Sequence, residues 1–496
     1  MSGELQDCTS TFVPAPIDGL NLRANIYELG PKECIQLDNY LVFDWGIREC
    51  GNFSALTQPT TGAIGQLVYF KDLNGAAMQL ICVANKVYSV NNATWATPTN
   101  LTGALTITSD AWRYCFFKKR IFMVNATNVG LIYDINGSTL AADTWTGLTT
   151  DNAAQVFTFK QRVYYVQKNS TSVWYGPVSS VSGALTEFDV GEFLEDYGTL
   201  LFGCSWSVNQ GNANEQLFVL VTVAGEVLIY SGDYPAAPNW TISTRVQIPT
   251  PIGNQAFIRL GQDVLIVTYR GVISLAGVVS GRYEEEAYYN TSLKLGDSFG
   301  SVNVRPARDP RLPFLYFASS SAQYIFALNF ERGAWSRIDT TVSTGTIGAL
   351  SFFDNGVTGN YLNAAFSNQT SKLLDDTAGN TASHAWRTGF LAIEPSRQKK
   401  VNFLRVYCRN ISGTAQIKNT AAVRFDNLFG TPNTDSRTTD ISALTPSLPG
   451  HGYTEQQLSP GGLGKRPSVV FTKTSGGEQN EIAGFDLFYS KTGGAF

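Results

Sequence analysis

A hairpin of two apolar strands recurs along residues 63–378, and that repetition limits the possible folds more than any other feature. The copies run 78–90 (MQLICVANKVYSV), 119–134 (KRIFMVNATNVGLIYD), 161–176 (QRVYYVQKNSTSVWYG), 216–231 (QLFVLVTVAGEVLIYS), 262–275 (QDVLIVTYRGVISL) and 312–329 (LPFLYFASSSAQYIFALN), with a weaker copy at 361–374 (YLNAAFSNQTSKLL). Each has an apolar strand, a polar or small-residue turn, and a second apolar strand that usually ends in an aromatic. A further aromatic often follows a polar loop: Trp95, Trp145, Phe188, Trp240 and Trp335. A period of roughly 40–50 residues built from short strands is the pattern of propeller blades. One blade alone leaves both faces wet, so blades stack around an axis, and an aromatic on the outer strand can fill the wedge between neighbours. The reading is an all-β chain with a six- or seven-bladed β-propeller, preferred to a β-sandwich because the units outnumber what one sandwich needs.

Composition allows such a core. The 496 residues are 43% hydrophobic and 12% aromatic but only 15% charged, with 46 glycines. Seven cysteines are scattered without a CxxC pair, and there are two histidines, His384 and His451. That pattern points to buried free thiols rather than zinc. The opening MSGELQDCTS lacks a basic start and an apolar stretch, so no signal peptide is expected. No apolar run is long enough for a membrane span. Residues 381–496 hold 13 Lys/Arg and 8 Asp/Glu, net +5, whereas 1–380 hold 23 and 32, net −9. An acidic body lacks the basic stripe of a general nucleic-acid binder.

Three regions follow: an N-terminal arm (1–62), the propeller (63–378) and a C-terminal β-domain (379–496) with a long loop at 430–467. The two termini are expected to form a β-sandwich-like platform. In the arm, Pro31 can open a short helical turn. Leu37-Asp38-Asn39 reads as a turn into a strand, because Asp38 and Asn39 can bond local backbone groups. Gly46 and Gly51 bracket a β-run containing Ile47 and Arg48. Glu284, Glu285 and Glu286 form a small acidic run, read as a solvated loop. In the C-terminal domain, 399–407 alternates as a strand with one wet face. Strict alternation sets Arg405 and Arg409 on one face and Lys400 on the other. The loop 430–467 is rich in Pro, Gly, Thr and Ser. Loops of that length are functional or disordered, and contact with a neighbouring subunit is the expectation.

The arm's G-L-N-L-R … P-x-E-C … L-D-N-Y … G-I-R … G, at Gly19, Leu20, Asn21, Pro31, Glu33, Leu37, Asp38, Asn39, Gly46, Ile47, Arg48 and Gly51, resembles the opening of tail proteins of short-tailed (podovirus-like) bacteriophages. These are the tail nozzle, or tail tubular protein B, and the related head-to-tail stabilisation proteins. Cys34 stands where that group usually has alanine, and the Arg–Gly pair is slightly displaced. The W-x-T-G at Trp386–Gly389, followed by Lys399-Lys400, is similar to the same group. The resemblance implies a structural virion protein made in the host cytoplasm. It would be a homo-hexameric ring below the portal-adaptor protein, next to tail fibre or spike proteins, with DNA passing through its lumen unbound. Leu37, Asp38, Asn39, Gly46, Arg48 and Gly51 would be structural motif residues.

No chemistry competes with that reading. Ser231-Gly232-Asp233 ahead of Trp240 has the wrong spacing for an Asp-box, and no pair of carboxylates stands out for glycosidase work. Neither histidine lies near a Ser or Cys signature, and no P-loop is present. The expectation is no enzyme, no catalytic residue, no cofactor and no metal. The rivals are a glycan-binding or glycan-hydrolysing propeller and a cellular propeller scaffold, though recurrent Gly-His and Trp-Asp pairs are missing. Assay of reducing-sugar release from host surface polysaccharide should give no turnover. Release abolished by changing one carboxylate would contradict the structural reading.

Overall fold

All seven repeated hairpins fold as antiparallel pairs, and each supplies the second and third strands of its sheet. The computed structural model describes residues 8–91, 97–195, 198–209, 214–282, 290–299, 302–319, 324–340, 347–354, 360–366, 370–375, 383–393, 397–410, 420–425, 435–437, 454–459, 463–473 and 480–491. Trp95, the run Glu284, Glu285 and Glu286, His451 and most of the loop 430–467 lie outside the described residues.

The chain is all-β with a propeller arrangement, but five hairpins, not six or seven, sit in separate four-stranded blades. Blade 1 is Ile64–Lys71, Ala77–Val83, Lys86–Val90 and Thr99–Asn100. Blade 2 is Arg113–Phe117, Arg120–Val124, Leu131–Asp134 and Thr139–Ala142. Blade 3 is Ala153–Phe159, Arg162–Gln167, Ser172–Tyr175 and Thr186–Asp189. Blade 4 is Leu200–Asn209, Asn214–Thr222, Glu226–Ser231 and Thr241–Gln247. Blade 5 is Ile347–Asp354, Asn360–Phe366, Thr370–Asp375 and, from far back in the chain, Asn52–Leu56.

The two remaining hairpins depart from the blade pattern for visible reasons. Phe257–Leu260, Asp263–Thr268 and Gly271–Ser274 form a three-stranded sheet. After Ser274 the chain coils into a short helix, Leu275–Gly277, whose Gly277 N–H donates to the Ser274 hydroxyl, and among the described residues only an isolated bridge from Asn290 to Ile273 follows on that edge. Ala307–Arg308, Phe314–Ala318, Tyr324–Asn329 and Ala334–Asp339 do form a four-strand run. Its last strand continues edge to edge into the arm strand Glu33–Asp38, making one ten-stranded sheet.

Apolar clusters link these sheets in a closed circuit. Val68 and Leu80 of blade 1 meet Trp112, Ile121 and Met123 at blade 2. Phe122 and Val124 meet Val156, Val163 and Tyr165 of blade 3, with Trp145 in the same cluster. Tyr164 and Phe218 join blades 3 and 4, where Trp240 stacks on Tyr230. Val219 and Ile229 meet Val264 and Ile266 of the three-stranded sheet. Leu265 and Val272 share a core with Leu315, Phe317 and Trp335. Tyr316 and Ile338 meet Leu350 and Leu362 of blade 5. Finally Leu56, Ala349 and Ala365 meet Leu67, Ile81 and Val83 of blade 1. The aromatics Trp145, Trp240 and Trp335 are therefore wedge residues. Two-residue turns with both φ positive close strand pairs tightly: Ala84 and Asn85 within the repeated hairpin of blade 1, and Lys118 and Lys119, Lys160 and Gln161 between the first and second strands of blades 2 and 3.

The termini build two facing sheets. One holds Tyr40–Phe43, Gly46–Glu49, Asn480–Lys491, Lys399–Asn410 and Thr454–Leu458, with Cys8–Pro14 and Leu463–Gly464 paired alongside. The other is the far half of the ten-stranded sheet: Glu33–Asp38, His384–Thr388, Pro467–Lys473, Thr420–Phe425 and Asp435–Arg437. Leu404, Val406, Phe485 and Leu487 from the first pack on Trp386, Phe471, Val423 and Leu37 from the second. Pro31 sits in a turn rather than a helix. The expected faces of strand Lys399–Asn410 are corrected by a bulge between Val401 and Phe403. The extra residue reverses the alternation, so Lys399 is buried while Lys400 and Arg405 both stay off the core. The side chain of Arg409 lies outside the described residues.

Ring closure through Asn52–Leu56 is testable at Leu56, which is buried between blades 5 and 1. Leu56→Ala should cost about 2–5 kcal/mol, the range for a truncated core leucine. Chemical denaturation would read this as a lower midpoint with unchanged slope. An unchanged midpoint would contradict the closure.

Candidate functional site

Two places concentrate polar side chains in positions that packing alone does not require. The first is the seam between arm, propeller and platform, where the motif residues fall. Asn39 separates Glu33–Asp38, in one sheet, from Tyr40–Phe43, in the other. Its φ is +63°, a left-handed corner that Asn tolerates better than most residues. Its N–H donates to Arg337 O (2.8 Å), and its carbonyl accepts from Cys50 N–H (2.7 Å). Its side-chain amide donates to Ser383 O (2.5 Å), and its Oδ1 accepts from Asp339 N–H (2.8 Å). Four bonds from one residue thus tie the corner to three other chain segments.

Asp38 sits beside this corner, buried and paired with the Arg337 guanidinium at 2.6 Å. Gln36 donates to its other oxygen at 2.8 Å. Leu37 is fully buried in the shared core. Gly46 lets the chain pass against the Ile482 carbonyl, where a Cβ would clash. Arg48 forks onto Glu481 at 2.7 and 3.0 Å and lies over the Phe43 ring. Gly51 is buried in the link to Asn52–Leu56. Gly19, with φ +78°, meets the Trp335 backbone so closely that a Cβ would lie 2.6 Å from it. Behind the seam, Lys473 and Glu49 pair at 2.6 Å with both side chains buried, and Asn480 N–H donates to the same carboxylate. Asp38 and Asn39 thus bond to the strand Ala334–Asp339, whereas Gly46 and Arg48 lie against the strand Asn480–Lys491.

The second place is an open recess of about 120 Å³ lined by the first strands of blades 2, 3 and 4 and of the three-stranded sheet. Arg113, Arg259 and Arg305 enter its lining, which holds no carboxylate. Arg113 donates to Asn254 Oδ1 (2.9 Å) and to the Ala111 carbonyl. Arg259 donates to Ser205 Oγ (2.6 Å), and Arg305 stacks over Tyr114. Burial brings the Arg113 guanidinium down to about 10. Burial pushes the Cys115 thiol up to about 12 against the opposing pull of Arg305 and Arg259, which therefore lie near it. Gln155 bonds both backbone groups of Gly203, so blades 3 and 4 are held together at the floor. These arginines were missed in the sequence. Their one signal is that Arg113 and Arg259 fall in first strands, ahead of the repeated hairpins.

Among the described residues no cluster of three or more His, Cys, Asp or Glu could hold a metal. His384 is buried in a strand against Tyr40. No helix among the described residues is long and apolar enough to cross a membrane.

No protein-family model matches the chain, and no curated protein matches it. Solved structures similar to it include one of the mitotic checkpoint complex, at 9% identity and TM-score 0.40, covering 66% of this chain and 95% of that one. Another is the computationally designed Ika8 protein, at 11% identity and TM-score 0.38, covering 64% and 98%. A third is YCF48 bound to D1 peptide, at 10% identity and TM-score 0.41, covering 68% and 98%.

Two substitutions separate the parts of the corner. Asn39→Ala and Asn39→Gly both lose the side-chain bonds, but only Ala strains the positive φ. Ala should therefore be the less stable by about 1 kcal/mol. Asp38→Ala leaves Arg337 without its partner and should cost roughly 1–3 kcal/mol. Calorimetric unfolding measures all three, and equal midpoints for wild type and Asp38→Ala would contradict the role given to Asp38.

Proposed function

We propose that the chain is a structural, non-enzymatic subunit of a short-tailed phage tail, assembled as a hexameric ring below the portal-adaptor protein. The observation that carries this reading is the convergence of the resembling residues. Gly19, Asp38 and Asn39 meet the propeller-linked strand Ala334–Asp339, while Gly46 and Arg48 lie against the platform strand Asn480–Lys491, so the arm joins the two. A protein that must transmit load between subunits benefits from such a fused joint. A soluble propeller that merely displays loops does not need one. In this reading the platform supplies the contacts between subunits and the propeller stands off from the ring. Tail fibre or spike proteins dock nearby, and DNA passes through the lumen without being gripped.

Charge supports the same reading. Phosphate contacts add affinity through counterion release, so a basic lumen would brake the DNA. The 1–380 portion is net −9. Lys400 and Arg405, on the outer face of their strand, are assigned to protein contacts rather than to DNA.

Native mass spectrometry of the purified chain, alone and with co-expressed tail partners, tests this. The expected species has about six times the 54.0 kDa chain mass. A strictly monomeric protein in both samples would contradict it and favour a cellular scaffold or a glycan-binding propeller.

A further inference from the structure

The arginine-lined recess is not explained by assembly into a tube, and its chemistry is specific. Three guanidiniums share one concavity whose lining contributes no carboxylate. Among the described residues none of the three is in an ion pair. Their partners are an amide oxygen, a backbone carbonyl, a hydroxyl and a tyrosine ring. A guanidinium carries five N–H donors, so most donors of Arg259 and Arg305 and part of those of Arg113 remain without a protein acceptor among the described residues. Asp263 lines an adjoining recess with Arg259 and Arg305. Its carboxylate, however, accepts from the Ser274 hydroxyl (2.5 Å) and from the Val264 and Ala276 N–H groups, and so is held by its own sheet.

Arginines that line one partly buried recess without a carboxylate are balanced best by a bound anion. Guanidiniums present paired N–H groups that match the oxygens of phosphate or carboxylate. A total of three positive charges suits a dianion better than a monoanion. Beside the arginines the recess offers the Tyr114, Phe157 and Phe257 rings, an apolar wall for the body of a small molecule. Gln155 and Gly203 fix the floor through two 3.0 Å bonds, so the site is preformed.

We propose that this recess binds a phosphate dianion among Arg113, Arg259 and Arg305, either as free phosphate or as the phosphate of a small organic ester. The site goes beyond the structural role proposed above and does not depend on it, because it lies within one chain.

The test is calorimetric titration of the full-length chain with inorganic phosphate and, separately, with adenosine monophosphate, in chloride buffer of matched ionic strength. One saturable site per chain is expected. Arg259→Gln with Arg305→Gln should weaken binding at least about tenfold, equivalent to 1.4 kcal/mol, while Lys400→Gln leaves it unchanged. Tighter binding of the nucleotide than of phosphate supports an organic ester held by the aromatic wall. Equal binding supports free phosphate. Absence of saturable binding for both probes overturns the proposal, as does full binding by the folded double variant. If the double variant fails to fold, Arg259→Lys decides: the charge remains but the fork is lost, so weaker binding supports the site and unchanged binding overturns it.

Discussion

The structure depends on the Asn39 corner. There the arm leaves a sheet shared with the propeller and enters the opposing sheet of the platform within one residue. A change of sheet normally leaves backbone groups without ladder partners, which is costly when they are buried. Here the main chain bonds Arg337 and Cys50, and the side chain bonds Ser383 and Asp339. The polar requirement is met while propeller, arm and C-terminal domain are joined. The arm then runs on through Gly51 to become the last strand of blade 5, so the same segment closes the ring.

The platform interior has an electrostatic consequence of this route. Glu49 and Lys473 are buried as a pair, Glu481 is buried under Arg48, and Lys399 is buried with its ammonium on the Arg397 and Lys465 carbonyls. Buried pairs add little net stability over an apolar core, yet removing one partner is expensive. They favour one register, because a slip of one residue would leave each charge alone. Such groups suit a joint whose geometry must be unique.

Much of this was legible because similar blade hairpins recur along residues 63–378. The hairpin from Gln216 to Ser231 could be read directly, since its turn residues and β-branched strands agree with its fold. The blade number was not legible, since it depends on outer strands that carry little hydrophobic signal. Beside Gly271–Ser274 the described residues give an isolated bridge at Asn290 in place of an outer strand, and edge pairing at Asp38 fuses another sheet to the arm. Strict alternation failed at Lys400 because a bulge leaves no mark in the local sequence. Asp38 and Asn39 were readable as a turn, but their partners at Arg337, Asp339 and Ser383 lie about 300 residues or more away. The three recess arginines were invisible for a similar reason: two separate first strands and the segment before Ala307–Arg308 bring them to one recess only in the folded ring.

The central claim is that arm, propeller and platform unfold as one body. Native-state hydrogen exchange on the full chain measures it directly. Amides of Asn52–Leu56 and Glu33–Asp38 should exchange only through global opening, with the same free energy as those of Ala334–Asp339 and Thr370–Asp375. Exchange of the arm strands through a separate, lower-energy opening, with the remaining sheets still protected, would contradict the account.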